Sequence, residues 1–215
     1  MIRFFPVFAA AAVMAAEIDL FDPSKLKAIR CDPPQVVTYK GKKALQVKAN
    51  TQTGGGTGAL VIVEGVDFQD GAFRVELAGE TGAGAAATAR GFVGMAFRAA
   101  SGGGAYEAVY LRPTNGRADD QVRRNHSVQY ESLPEFPWSR LRKEFPEKYE
   151  TYADLQPATW TRLRVVAEGA KVRAHVNGSE HPTLLVNDAR RTEKGKIALW
   201  VGPGTVAHFT GLVVE

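Results

Sequence analysis

The residues best equipped for chemistry crowd into one stretch. Arg112, Asn115, Arg117, Asp119, Asp120, Arg123, Arg124, His126, Gln129 and Tyr130 all lie between positions 112 and 130. Forked guanidinium donors, amides and carboxylates are the fixed planar partners that sugar hydroxyls need, and Tyr or Trp rings supply a stacking platform. His126 follows Arg123 and Arg124, and neighbouring positive charge lowers an imidazole pKa and favours its neutral, basic form. The alternative is an arginine–carboxylate network that braces a long loop.

Nearby residues could extend such a site. Tyr106, Tyr110 and Arg112 share one face of a strand, opposite Val109 and Leu111. If Val109 and Leu111 face a core, the other three face a ligand surface. Arg98 lies on the polar side of its own strand beside Gly94 and Ala96, whose small size leaves room for a ligand. Trp138, in a Pro-rich loop, is the better platform, because Trp160 opens a strand and Trp200 sits within one, where indoles usually pack. Glu107, Asp119, Asp120 and Glu131 are the carboxylates available for acid–base work. A two-carboxylate glycosidase would need a pair about 5–5.5 Å apart, or about 6.5–9.5 Å for inversion. The simpler reading of each is a solvated or salt-bridged group. The histidines have no zinc spacing, and the glycine runs lack the Lys-Ser/Thr partner of a phosphate loop.

The elements that must position these residues read as strands. Phe73, Val75 and Leu77 alternate with polar residues, as do Leu163 and Val165, and Val172, Ala174 and Val176. Val93, Met95 and Phe97 keep the same spacing, as do Ile197, Leu199 and Val201. Val36–Tyr39, Ala44–Val47, Ala59–Glu64 and His208–Val214 add further strands. This period of two marks strands with one face in a core. Lys40-Gly41, Glu168-Gly169-Ala170 and Asn177-Gly178 are turn signals, and glycine-rich 54–58, 82–84 and 102–104 read as loops. About eleven strands predict an all-β, two-sheet antiparallel jelly-roll sandwich. The exception is 113–160, an irregular segment holding several prolines. Its best helical candidate, Arg140–Tyr152, is interrupted by Pro146. A long irregular segment in a compact domain usually carries function.

The chain has 215 residues, 45% of them apolar, enough for a sizeable core in one domain. Its net charge of +4 is mild, and without a basic stripe or tail it predicts no nucleic-acid partner. Residues 1–16 have the pattern of a secretory leader, with Arg3, an apolar run over Phe4–Ala12 and small residues at Ala15 and Ala16. The run is too short to span a membrane. Cleavage there leaves a mature domain over 17–215 and predicts a periplasmic or secreted bacterial protein. With Cys31 as the only cysteine, no internal disulfide can form. The sequence implies no particular oligomeric state.

Three stretches carry a resemblance to a known family: Tyr106–Pro113, Trp160–Val166 leading into Val172–Asn177, and Gly195–Gly202 followed by Ala207–Leu212. In these the chain resembles the concanavalin A-like lectin/glucanase jelly roll, and more narrowly the 3-keto-disaccharide hydrolases, a family first catalogued as a domain of unknown function. The resemblance implies a carbohydrate ligand in a groove on the concave sheet. Fold alone does not imply catalysis, because lectins and enzymes share it. The glucanases of this fold carry acids at i, i+2 and i+4 of one strand, a pattern absent here, with Glu17-x-Asp19 its nearest echo. No cofactor is implied. The fold class admits calcium, for which Asp19, Asp22 or Asp188 are candidate ligands.

On the enzyme reading, a 3-keto group acidifies the C2 proton of a glycoside, a base removes it, and the leaving sugar departs from C1 before water adds back. His126 or Glu107 would be the base, and Arg112 or Arg124 would polarise the ketone. Arg98, Tyr106, Tyr110, Asn115, Arg117, Asp120, Arg123, Gln129, Tyr130 and Trp138 would bind substrate. The competing readings are a non-catalytic carbohydrate-binding domain of the cell envelope and a structural envelope domain.

Overall fold

The computed structural model describes residues 15–49 and 57–215. Residues 1–14 of the expected leader, and residues 54–56 of the first glycine-rich loop, lie outside the described residues.

Among the described residues fifteen strands follow one another: β1 (Ala16–Glu17), β2 (Leu26–Ile29), β3 (Gln35–Tyr39), β4 (Lys42–Lys48), β5 (Ala59–Phe68), β6 (Gly71–Thr81), β7 (Val93–Ala99), β8 (Tyr106–Leu111), β9 (Val128–Leu133), β10 (Glu150–Thr151), β11 (Thr161–Glu168), β12 (Lys171–Val176), β13 (Leu184–Val186), β14 (Gly195–Val201) and β15 (Thr205–Val214). Two short helices interrupt them, α1 (Gln121–Asn125) and α2 (Trp138–Glu144). The strands form two antiparallel sheets. The first runs β13-β12-β11-β6-β15-β4-β3, with β1 added to β15; the second runs β10-β9-β8-β7-β14-β5-β2. This is the all-β, two-sheet sandwich that the period-two pattern predicts.

The alternation explains the layers. Phe73, Val75, Leu77, Leu163, Val165 and Phe209 of the first sheet meet Val61, Met95, Phe97, Val109, Leu111 and Leu199 of the second in one buried cluster. The turns obey their sequence signals. Lys40 and Gly41 take φ of 45° and 80° between β3 and β4, the left-handed pair that a tight hairpin needs. Glu168 pairs with Lys171 around Gly169-Ala170.

The second sheet is also covered on its far side. Tyr106, Ala108, Tyr110, Leu60, Ile62, Ala96, Ala198 and Trp200 form a separate buried cluster there. The cover comes partly from the segment expected to be irregular. That expectation needs correction, because 113–160 contains β9, β10, α1 and α2. Strand β9 (Val-Gln-Tyr-Glu-Ser-Leu) is buried along its whole length, so polar Gln129 and Glu131 disguise it as loop. The helix expected over Arg140–Tyr152 lies earlier, at Trp138–Glu144, and stops before Pro146.

Candidate functional site

The site is built on the far face of the second sheet. Trp200 of β14 pairs with Gly94 of β7, and Gly94 pairs with Tyr110 of β8. With no side chain between them, the Tyr110 and Trp200 rings lean together and stack, centroids 4.1 Å apart and planes 16° from parallel. Phe92 meets Tyr110 edge-on at 6.4 Å. Trp200 Nε1 donates to Tyr106 Oη at 3.2 Å, which satisfies the buried indole N–H.

Above this aromatic floor lies a cavity of about 520 Å³. That is within the roughly 300–1,000 Å³ range of small-molecule sites. Arg90, Phe92, Arg112, Asn115, Arg123, His126, Trp138 and Arg142 line it. Each is placed by its own element. Asp120 caps α1 by accepting from the Arg123 backbone N–H at 3.1 Å, which fixes Arg123 on the helix. His126 closes that helix, its N–H turned to the carbonyls of Arg123 and Arg124. Asn115 ends a single helical turn at Pro113–Asn115 and donates through Nδ2 to the His126 carbonyl at 3.2 Å.

One carboxylate organises the cations. Glu150, whose side chain is 3% exposed, receives Arg142 Nε at 2.9 Å and Nη2 at 2.5 Å. Arg112 Nη1 lies 3.5 Å from its Oε2, and His126 Nε2 lies 3.2 Å from its Oε1. Arg112 also donates to the His126 carbonyl at 3.1 Å, to Tyr110 Oη at 3.2 Å and to Gln129 Oε1 at 3.1 Å. The Trp138 ring carries both guanidinium groups, Arg112 at 5.5 Å and Arg142 at 4.8 Å from its centroid. Burial holds the His126 pKa below its ordinary value; Glu150 pulls it up, and Arg142 and Arg112 push it down. The imidazole is therefore neutral at neutral pH, chiefly because it is buried, and the arginines that contribute are Arg142 and Arg112, not the adjacent Arg123 and Arg124.

Of the residues singled out from sequence, Tyr110, Arg112, Asn115, Arg123, His126 and Trp138 meet at this cavity. Gln129 and Tyr106 sit behind them, as props of Arg112 and Trp200. The others go elsewhere. Arg98 is fully buried at the end of the sandwich, where it donates to Gln69, Gly169 and Arg191 carbonyls and pairs with Asp70 and Glu107. Gly94 makes room for the stacked rings, and Ala96 is buried between Ala108 and Ala198, so neither opens space for a ligand beside Arg98. Glu107 faces the interior, takes the Tyr130 hydroxyl at 2.6 Å and is far too enclosed to reach the cavity lining. Tyr130 is likewise a core residue. Arg124 lies outside the lining, donating to Tyr152 Oη at 3.1 Å and stacking on that ring. Arg117 pairs with exposed Asp154 at 2.6 Å, and Asp120 is spent on its cap. For these, the bracing alternative fits the geometry.

Arg90, Arg142 and Glu150 were not legible as site residues. Arg142 had a readable signal, because it stands four residues after Trp138 and so shares its helix face. The carboxylates considered for calcium are not brought together. Asp19 and Asp22 accept from local backbone N–H groups, and Asp188 is held by Lys148 and Tyr149. Among the described residues, no three potential metal ligands gather, and no helix is long and apolar enough to cross a membrane.

No family model matches the chain, and no curated protein matches it. Solved structures share its fold. The carbohydrate-binding module CBM66 from Bacillus subtilis aligns with a TM-score of 0.60 at 10% identity, over 90% of this chain and 98% of its own. A Bacillus subtilis protein with a galectin-like fold gives 0.55 at 12% identity, over 94% and 98%. A β-1,3-1,4-glucanase (lichenase) from a mouse hindgut metagenome gives 0.55 at 11% identity, over 94% and 97%. At these identities the likeness shows a shared fold, the two-sheet antiparallel sandwich.

Proposed function

We propose that the protein is an exported carbohydrate-active protein that binds saccharide in the cavity over Tyr110 and Trp200 and cleaves a 3-keto-glycoside there. The observation that carries this reading is the position of His126. A neutral imidazole lines the same cavity as several guanidinium groups, and among the described residues no carboxylate lines it. Such a set suits removal of a proton beside a carbonyl, not two-carboxylate hydrolysis.

The roles follow from the contacts. With a proton on Nε2 facing Glu150, His126 keeps its Nδ1 lone pair for the C2 proton. The C2–H electrons form an enolate on the C3 oxygen, which the positive charge of the guanidinium groups lining the cavity stabilises. Collapse of the enolate forms a C1–C2 double bond and breaks the C1–O bond, and the departing oxygen takes the proton back from His126. Water then adds across C1–C2, giving net hydrolysis. Arg112 and Asn115 are positioning residues, since both hold the His126 carbonyl. Release of the leaving sugar from a 3-keto-disaccharide by wild-type protein, and its loss in His126→Ala, tests the reading.

The leader pattern of residues 1–16 supports export. Mass spectrometry of the secreted or periplasmic product should show a start between Ala16 and Ile18, and an intact chain recovered from the cytoplasm would refute it. Non-catalytic binding is the second reading, favoured by Arg112, whose terminal nitrogens are all engaged by the protein itself.

A further inference from the structure

The cavity holds more positive charge than the protein neutralises. Arg112 and Arg142 share Glu150. Arg90 and Arg123 also line the cavity, and among the described residues neither pairs with a carboxylate. Arg90 Nη1 donates only to the carbonyls of Ala87 and Ala89, at 2.6 and 2.8 Å. Arg123 Nε is buried without a hydrogen-bond partner. Burial, then the charges of Arg123 and Arg112, push the Arg90 pKa down, the mark of guanidinium groups crowded without a counter-ion. Asn115 is 4% exposed, and its Oδ1 has no partner. Structural arginines usually find carboxylates, because a half-buried unpaired charge is costly. Here the counter-charge is left to the ligand.

We infer that the cavity takes an acidic saccharide, whose carboxylate or sulfate lies between Arg90 and Arg123 while its ring rests on the Tyr110–Trp200 floor. This rests on the reading of the cavity as a saccharide site. A neutral sugar would satisfy the floor and leave the two guanidinium groups repelling each other. An anion relieves that repulsion, and the planar guanidinium fork matches oxyanion geometry.

Calorimetric titration of the whole protein at low salt tests this with four probes: a galacturonate oligosaccharide, a sulfated galactan oligosaccharide without carboxylates, a neutral galactan oligosaccharide, and sodium sulfate or acetate alone. One acidic oligosaccharide should bind at least about tenfold more tightly than the neutral one, the equivalent of one charge-assisted contact. Its affinity should fall as salt rises. The first two probes distinguish carboxylate from sulfate. Arg90→Gln and Arg123→Gln should lose that preference with the melting temperature kept or raised, and Arg123→Lys should keep part of it. Equal affinity for the neutral oligosaccharide overturns the acidic-ligand inference and leaves the saccharide site standing. Binding of no saccharide, or of the simple ions alone, overturns the acidic-ligand inference, and release of the leaving sugar from a 3-keto-disaccharide by the wild type decides separately whether the saccharide site stands.

Discussion

Tyr110 and Trp200 stack at 4.1 Å across Gly94, although a whole strand separates theirs. The absent side chain at position 94 lets the two rings close into one floor. A Cβ there would strike the Val109 carbonyl and come within 2.5 Å of Cα and Cβ of Tyr110.

Gly94→Ala should therefore destabilise the protein by about 1–3 kcal/mol, the usual cost of overpacking, and should separate the rings. Chemical denaturation gives the first quantity and near-ultraviolet circular dichroism the second. Unchanged stability with an unchanged aromatic signal would show that the floor does not depend on Gly94.

Glu150 holds Arg112, Arg142 and His126 with one buried carboxylate. Its removal leaves cations without their partner, so Glu150→Gln should cost about 3–5 kcal/mol. Glu150 also raises the His126 pKa against the effect of burial. The variant imidazole should therefore titrate at still lower pH, which ring-proton NMR would follow. A His126 pKa that rises in Glu150→Gln would contradict this arrangement.

Arg98 and Arg123 provide a contrast between bracing and service. Arg98 ties Gln69, Asp70, Glu107, Gly169 and Arg191 together at the end of the sandwich. Arg98→Ala should cost about 3–5 kcal/mol, since it strands buried Glu107. Arg123→Gln should leave the melting temperature unchanged or higher, because it removes repulsion and breaks no pair. Comparable melting losses in both variants would mean that Arg123 also braces.

Glu131 is fully buried beneath Trp138, takes the Trp138 backbone N–H at 3.3 Å through Oε2, and leaves Oε1 without a partner. Burial raises its pKa to about 7. The folded state therefore holds this proton more tightly than the unfolded chain does. Its stabilising effect is complete below the ordinary carboxylate pKa and is lost as pH rises through about 7. Glu131→Gln should gain stability relative to wild type as the pH moves from 4.5 to 8. A wild-type advantage that grows with pH over that range would sink the assignment.

The parts of this site that follow from strand period were readable in the sequence. Tyr110 and Arg112 oppose Val109 and Leu111, so alternation alone places them on the far face of the sheet. Alternation does not say what covers that face. Arg98 looked ligand-facing because its partners, Gln69, Gly169 and Arg191, come from turns remote in sequence. Glu107 looked available because its enclosure depends on Tyr130, which belongs to a strand hidden by Gln129 and Glu131. Arg90 and Glu150 stand in or beside loops with no period, and only the tertiary fold brings Arg90 to the cavity and Glu150 to His126.

The proton at C2 of a 3-keto-glycoside is the most direct probe of the central claim. Wild-type protein in D2O should exchange that proton and release the leaving sugar, and both should fade as pH falls through the lowered His126 pKa. His126→Ala should do neither while remaining folded, and neither protein should hydrolyse laminarin or lichenan. Undiminished exchange and release by folded His126→Ala, or robust β-glucan hydrolysis by the wild type, would contradict the account.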